Sequence, residues 1–207
     1  MLGVIAGDVI GSVFEGRRDP PAGFALFGPG ARFTDDTVLA IAVAHAVRSG
    51  GDFQRALLEW GRRYPHAGYG AAFRQWLASP QPAPYGSFGN GSAMRVAAIG
   101  WAFDDLEQVL AEAESSAAVT HDHPEGIKGA QAVAAVVHAA RGGADKRQLA
   151  ALLSERFGYD CGASVDEVRG RGGIQVTCQD TLPAAAVALL HSRDFEDAVR
   201  IAVSFGG

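Results

Sequence analysis

The chain has 207 residues, 48% hydrophobic and 20% charged, with a formal net charge of −5. Those values describe a soluble globular protein long enough to bury its own core, and they exclude a disordered chain. No basic stretch exceeds Arg17-Arg18 or Lys146-Arg147, so a sequence-independent grip on nucleic acid is not expected.

No apolar run nears the ~20 residues of a membrane span, and the N-terminus shows no secretory pattern. Cys161 and Cys178 lack metal-type spacing and read as reduced thiols of a cytoplasmic protein. Apolar residues recur at helical spacing nearly throughout, so the chain reads as a single all-α domain.

The first predicted helix, 2–13, carries Gly3, Gly7 and Gly11 along one stripe. Glycine inside a helix costs about 1 kcal/mol against alanine, and close packing of another helix is the expected reason. Asp8 and Glu15 are seven apart and share a face if the helix reaches that far. Glu15 follows Val13-Phe14, and a carboxylate against aromatic surface can have a raised pKa suited to acid–base work.

A Gly/Pro-rich loop, Pro20 to Ala31, leads to Phe33-Thr34-Asp35-Asp36-Thr37 and a helix near 36–48. One reading is an N-cap, with acids favoured by the helix dipole. Two carboxylates ~4 Å apart repel by about 1 kcal/mol in water but about 4 kcal/mol at an effective dielectric of ~20. The dipole returns only ~0.3–1 kcal/mol per charge at an exposed end. A half-buried pair therefore needs a proton or a hard cation such as Mg²⁺, to which threonine hydroxyls can add oxygen ligands.

Helices near 52–63 and 69–78 follow, then a second loop, SPQPAPYGSFGNG at 79–91. Its glycines can expose backbone amides to a phosphate, Phe88 can stack a base and Asn90 can bond a sugar. A plain connection capped by Ser92 fits equally well. Beyond predicted helices at 92–101 and 105–119 comes Thr120-His121-Asp122-His123, a source of ligands, a base or a hydrogen bond. Asp122 to Glu125 fits a capping box with proline in the first turn of a helix over 125–141. A helix at 146–156, an irregular stretch at 158–177 and helices at 178–191 and 195–204 complete the chain. Gly142-Gly143 and Gly206-Gly207 read as helix stops.

Together GVIAGDVIGSVFEG at 3–16, FTDDT at 33–37, YGSFGNGSAMRVAAIG at 85–100 and VTHDHPEGIKGA at 119–130 resemble the ADP-ribosylglycohydrolase family, in the family's order over nearly the whole chain. The resemblance implies a compact orthogonal multi-helix bundle with a dinuclear Mg²⁺ (or Mn²⁺) centre in an ADP-ribose-binding cleft. It makes Thr34, Asp35 and Asp36 metal ligands, with both aspartates in the catalytic centre. Glu15 becomes the catalytic glutamate beside the attacking water. Gly86, Ser87, Phe88, Asn90, Gly91, Ser92 and His121 become substrate-binding. The implied reaction is hydrolysis of the bond between ADP-ribose and an acceptor, carried on a protein side chain or a small molecule. In the family a segment reading SFGG runs on into Asp-x-Asp-Thr and a last helix. SFGG stands here at 204–207, and no Asp-x-Asp-Thr occurs upstream. The resemblance thus implies half of the metal ligands and reduced activity. The alternatives are a non-catalytic ADP-ribose-binding module and, less in keeping with the motifs, a helical structural protein.

Overall fold

Several of the helices begin where the sequence offers a short polar side chain that takes an amide of the first turn. Thr34 accepts from Asp36 N, Asp52 from Arg55 N, Asp105 from Gln108 N, Thr177 from Asp180 N and Asp194 from Asp197 N. Each satisfies a donor the helix itself cannot.

The computed structural model describes residues 1–18, 20–21, 23–173 and 175–206. Among these the helices are α1 (Leu2–Gly11), α2 (Asp35–Ser49), α3 (Phe53–Arg63), α4 (Ala71–Ala78), α5 (Ala97–Ala102), α6 (Leu106–Ala118), α7 (Pro124–Arg141), α8 (Lys146–Ala151), α9 (Val165–Arg171), α10 (Cys178–His191) and α11 (Phe195–Ser204). The only extended pairing among the described residues is an isolated bridge between Gly89 and Thr177. The fold is all-α, as the periodicity predicts.

The principal core joins Val38, Leu39 and Val43 of α2 to Phe53 and Leu57 of α3, Phe73 and Trp76 of α4, and Val96, Ile99 and Val109. Helix α7 runs through the centre with Ala130, Ala132, Ala134 and Ala135 fully enclosed. Small residues let its neighbours come close. A Cβ on Gly100 would lie 2.2 Å from Ala134 O, and one on Gly129 would lie 2.4 Å from Cys178 Sγ. A second cluster joins Leu110, Leu153, Phe157, Cys178 and Leu182. The flank formed by α1 and α11 is thinner: Ile10 alone is buried in α1, and no residue is buried in α11.

Several boundaries differ from the sequence expectation. Helix α1 stops at Gly11, and consecutive turns carry the chain past Glu15. The helix expected at 92–101 is a 3₁₀ turn at Asn90–Ser92, then α5. The helix expected over 146–156 is α8 continued by a wide turn at Leu152–Arg156. Within the stretch expected to be irregular, α9 forms on a capping box between Ser164 and Glu167. The cap of α7 is His123, whose ring accepts from Glu125 N, while Asp122 is used elsewhere. Gly143 and Gly206 end their helices with φ of +90° and +77°; Gly207 lies outside the described residues.

Candidate active site

The N-terminus of α2 is fastened to α1 by one carboxylate. Asp8 accepts from Thr34 N at 2.8 Å, Thr34 Oγ1 at 2.6 Å and Thr37 N at 3.2 Å, with a further short bond from Thr37 Oγ1. Both threonines are buried. The single Thr34 hydroxyl proton is directed mainly to Asp8, with Asp36 Oδ2 the longer alternative at 3.3 Å, and its oxygen can accept from Asp36 N at 3.4 Å and from a cation beside it. Asp8 thus orients the loop that presents the acid pair. The sequence carried one signal of this, a lone acid in the middle of an apolar, glycine-rich helix.

Asp8, Glu15, Asp35 and Asp36 form a single electrostatic cluster. Burial, then the charges of Asp35, Asp8 and Glu15, push the Asp36 carboxyl up to about 7, against the Thr34 hydrogen bond. Burial, partly offset by a backbone hydrogen bond, then Glu15 and Asp8, push Asp35 up to about 6. Glu15 is raised by burial and then by Asp8, with Arg32 opposing. Tyr69, from the turn before α4, stands behind Asp35 with its hydroxyl unpartnered among the described residues. An open groove of about 390 Å³ runs from this cluster between α1 and α11, with Asp8, Glu15 and Asp36 facing Val199 and Val203. Gly7 and Gly11 of the α1 stripe border that groove. A Cβ on Gly7 or Gly11 would meet nothing within 4 Å, and on Gly3 only the Phe195 ring at 3.5 Å. Close helix packing, the expected reason for the stripe, therefore does not hold at Gly7 and Gly11.

The second cluster joins the loop at 86–92 to His121. Asp122 accepts from Gly86 N at 2.6 Å, Thr120 O from Ser87 N at 3.4 Å, and Ser87 Oγ from Gly89 N at 3.2 Å. Val176 O accepts from Asn90 N, and Phe88 O from Cys178 N, both at 2.9 Å. Most amides expected to face a phosphate are thus already engaged, leaving those of Phe88, Gly91 and Ser92 without a partner among the described residues. The Phe88 ring is exposed, 5.2 Å from His123. Two expected ligand contacts turn inward instead. Ser92 is fully enclosed and donates to Gly126 O at 2.7 Å. The Asn90 amide donates to Gln175 O and to Thr181 Oγ1 at 3.2 Å. Both brace the loop from behind.

His121 is buried, with Nδ1 2.7 Å from Thr120 Oγ1. A Cβ on Gly91 would lie 3.1 Å from His121 Nε2, and one on Gly126 would lie 2.7 Å from Ser87 O. These glycines are required because ring and loop occupy the space.

No group of three or more His, Cys, Asp or Glu side chains stands at metal-holding geometry among the described residues. Oxygens that a cation could use include those of Asp35, Asp36 and Thr34, with the Glu15 carboxylate lining the same groove as Asp36. Cys161 and Cys178 are unbridged, and no helix among the described residues is long and apolar enough to cross a membrane.

The family model for ADP-ribosylglycohydrolase matches residues 1–207. Over 186 residues the chain is 31% identical to an ADP-ribosylhydrolase ARH3 of Gallus gallus, covering 72% of this chain and 51% of the relative. It is 28% identical to the ADP-ribosylarginine hydrolase Tri1 of Pseudomonas putida, covering 99% of this chain and 64% of that protein. A solved structure described as an ADP-ribosylglycohydrolase-related protein complex superimposes with a TM-score of 0.74 at 28% identity, covering all of this chain and 79% of that one. The chain spans about half the length of the vertebrate relatives it matches. With its all-α architecture and a family match from end to end, the chain belongs to the ADP-ribosylglycohydrolase family.

Proposed function

We propose that the chain is a metal-dependent hydrolase of the glycosidic bond between ADP-ribose and an acceptor. The observation that carries this reading is the under-compensated acid cluster at the mouth of a groove. Three carboxylates with raised pKa face one another, and no lysine or arginine forms an ion pair with them among the described residues. Such a cluster favours a hard cation, and Thr34, Asp35 and Asp36 offer the oxygen donors that Mg²⁺ or Mn²⁺ prefers. They make up only part of the six ligands an octahedral ion takes, so these residues alone hold it weakly.

When bound, the cation supplies positive charge to orient ribose hydroxyls and water and to offset charge in an oxocarbenium-like transition state. Asp8 fixes Thr34 and the first turn of α2 so that Asp35 and Asp36 are presented without reorganisation. Glu15, at the groove rim with a pKa raised by partial burial and by the charge of Asp8, takes the proton of the attacking water. Phe88, with the open Phe88 and Gly91 amides, receives the nucleotide, and His121 contacts it from behind Gly91. Ser87 and Gly86 hold the loop's shape through Thr120 and Asp122.

The likeness to an ADP-ribosylarginine hydrolase makes modified arginine the first acceptor to test, ahead of serine, a nucleobase or a small ADP-ribose conjugate. The unbridged cysteines are in keeping with a cytoplasmic protein. The test is release of free ADP-ribose from an arginine-modified protein by this chain, with Mg²⁺ and with EDTA. Mg²⁺-dependent release supports the reading. Tight ADP-ribose binding without release from any acceptor, with either ion, replaces it by a non-catalytic binding module.

A further inference from the structure

We infer that Arg95 is a positioning residue: acting through Thr120, it holds His121 as the tautomer with its proton on Nε2, a fixed neutral donor to an acceptor oxygen of the nucleotide on the 86–91 loop. The nucleotide as ligand rests on the ADP-ribose reading above; the tautomer does not.

The direction of the hydrogen-bond chain follows from what each group can do. Arg95 is fully enclosed, and a guanidinium only donates. Its Nη2 donates to Ser116 O at 2.8 Å and to Thr120 Oγ1 at 3.0 Å. Thr120 is also fully enclosed and has a single hydroxyl proton. With one lone pair taken by Arg95, that proton finds one acceptor among the described residues, His121 Nδ1 at 2.7 Å. Nδ1 therefore carries a lone pair, and the ring proton sits on Nε2.

Both alternatives are costly. A proton on Nδ1 would aim two donors at one oxygen and strand the threonine proton in a dry interior. A second ring proton would set a cation beside Arg95, whose Nε and Nη1 have no partner among the described residues. Burial and then the Arg95 charge push His121 down to about 3, in keeping with a neutral ring.

The donor points at the loop. Hypothetical Cβ atoms on Gly91 and Gly89 would lie 3.1 and 3.7 Å from Nε2. Nε2 has no hydrogen-bond partner among the described residues, and neither has the Gly91 amide beside it. The two suit a phosphate or hydroxyl oxygen. A ring whose free nitrogen is turned inward to Thr120 cannot serve as general base, which leaves that work to Glu15.

The test is the side-chain ¹H–¹⁵N long-range correlation spectrum of the unliganded chain, with His121 assigned by loss of its signals in His121→Gln. Expected is a protonated Nε2, an unprotonated Nδ1 and no titration of this ring between pH 5 and 8. An Nδ1–H tautomer, an averaged mixture or ordinary titration overturns the inference. Thr120→Ser keeps the single tautomer. Thr120→Val, which removes the relay, gives a mixture and weakens ADP-ribose binding about tenfold; an unchanged tautomer there removes Arg95's part. If Thr120→Val does not fold, the wild-type and Thr120→Ser spectra decide. Added ADP-ribose should move the Nε2–H signal. Movement of other loop signals with Nε2–H unmoved overturns the donor role. No movement anywhere rejects ADP-ribose as the ligand, and the tautomer is judged on the unliganded spectra.

Discussion

The acid cluster at α1 and α2 and the glycine loop at 86–92 are built on opposite principles. Around His121 the loop is held by hydrogen bonds to its own and neighbouring groups, and Gly91 and Gly126 are small because something already fills the space a side chain would take. Around Asp36 the carboxylates repel one another, and Gly7 and Gly11 border open space. One region is finished before any ligand arrives; the other gains most when positive charge does. A preorganised surface suits recognition, whereas an under-compensated one suits chemistry that needs a cation.

The largest effect that would break this contrast is on turnover. Asp36→Ala should lower ADP-ribose release at least about a hundredfold in a Mg²⁺-supported assay, since it removes a charge the cation requires. Asp8→Ala should act through the same region at one remove, costing about 10–100-fold in release. It should also cost about 2–4 kcal/mol in urea unfolding, because four donors lose their acceptor. A variant with full stability and full activity would show that Asp8 holds nothing in place.

Stability against pH sharpens the comparison. Folded Asp36 keeps a proton up to about pH 7, while the unfolded chain releases it near pH 4. Raising the pH through that window therefore favours unfolding. In EDTA the melting temperature should fall as pH rises from about 4.5 to 7.5, and Asp36→Asn should flatten the slope and raise the pH 7.5 value by roughly 5–10 °C. A flat profile in wild type would mean that neither burial nor the neighbouring acids penalise the Asp36 charge.

Gly126→Ala tests the finished region. Its methyl would lie 2.7 Å from Ser87 O and 3.0 Å from His121 Cβ, so destabilisation of about 1–3 kcal/mol and weaker ADP-ribose binding are expected. The smallest effect is Gly7→Ala. With open space at the Cβ position, the substitution should stabilise by about 0.5–1 kcal/mol, and a destabilised variant would restore the close-packing reading of the stripe.

What was legible in the sequence was mostly local. Periodicity marks the helices, and Thr34 before two acids marks both a cap and a charge problem. Helix α9 was hidden because its seven residues lie among glycines. Asp8, Asp122 and Ser92 were misread or passed over for a common reason. Each acts on a partner 26 to 36 residues away, and no local pattern reports such a bond. The inward turn of Asn90 depends likewise on Gln175 and Thr181, 85 and 91 residues away.

The division of labour is tested most directly by calorimetric titration of ADP-ribose into wild type and Asp36→Ala, each with Mg²⁺ and with EDTA, alongside release from the same preparations. Binding that stays within about tenfold across all four conditions, with release confined to wild type in Mg²⁺, is the predicted result. Binding lost in step with release, in Asp36→Ala or in EDTA, would contradict it, because the glycine loop and His121 would then not form a recognition surface of their own.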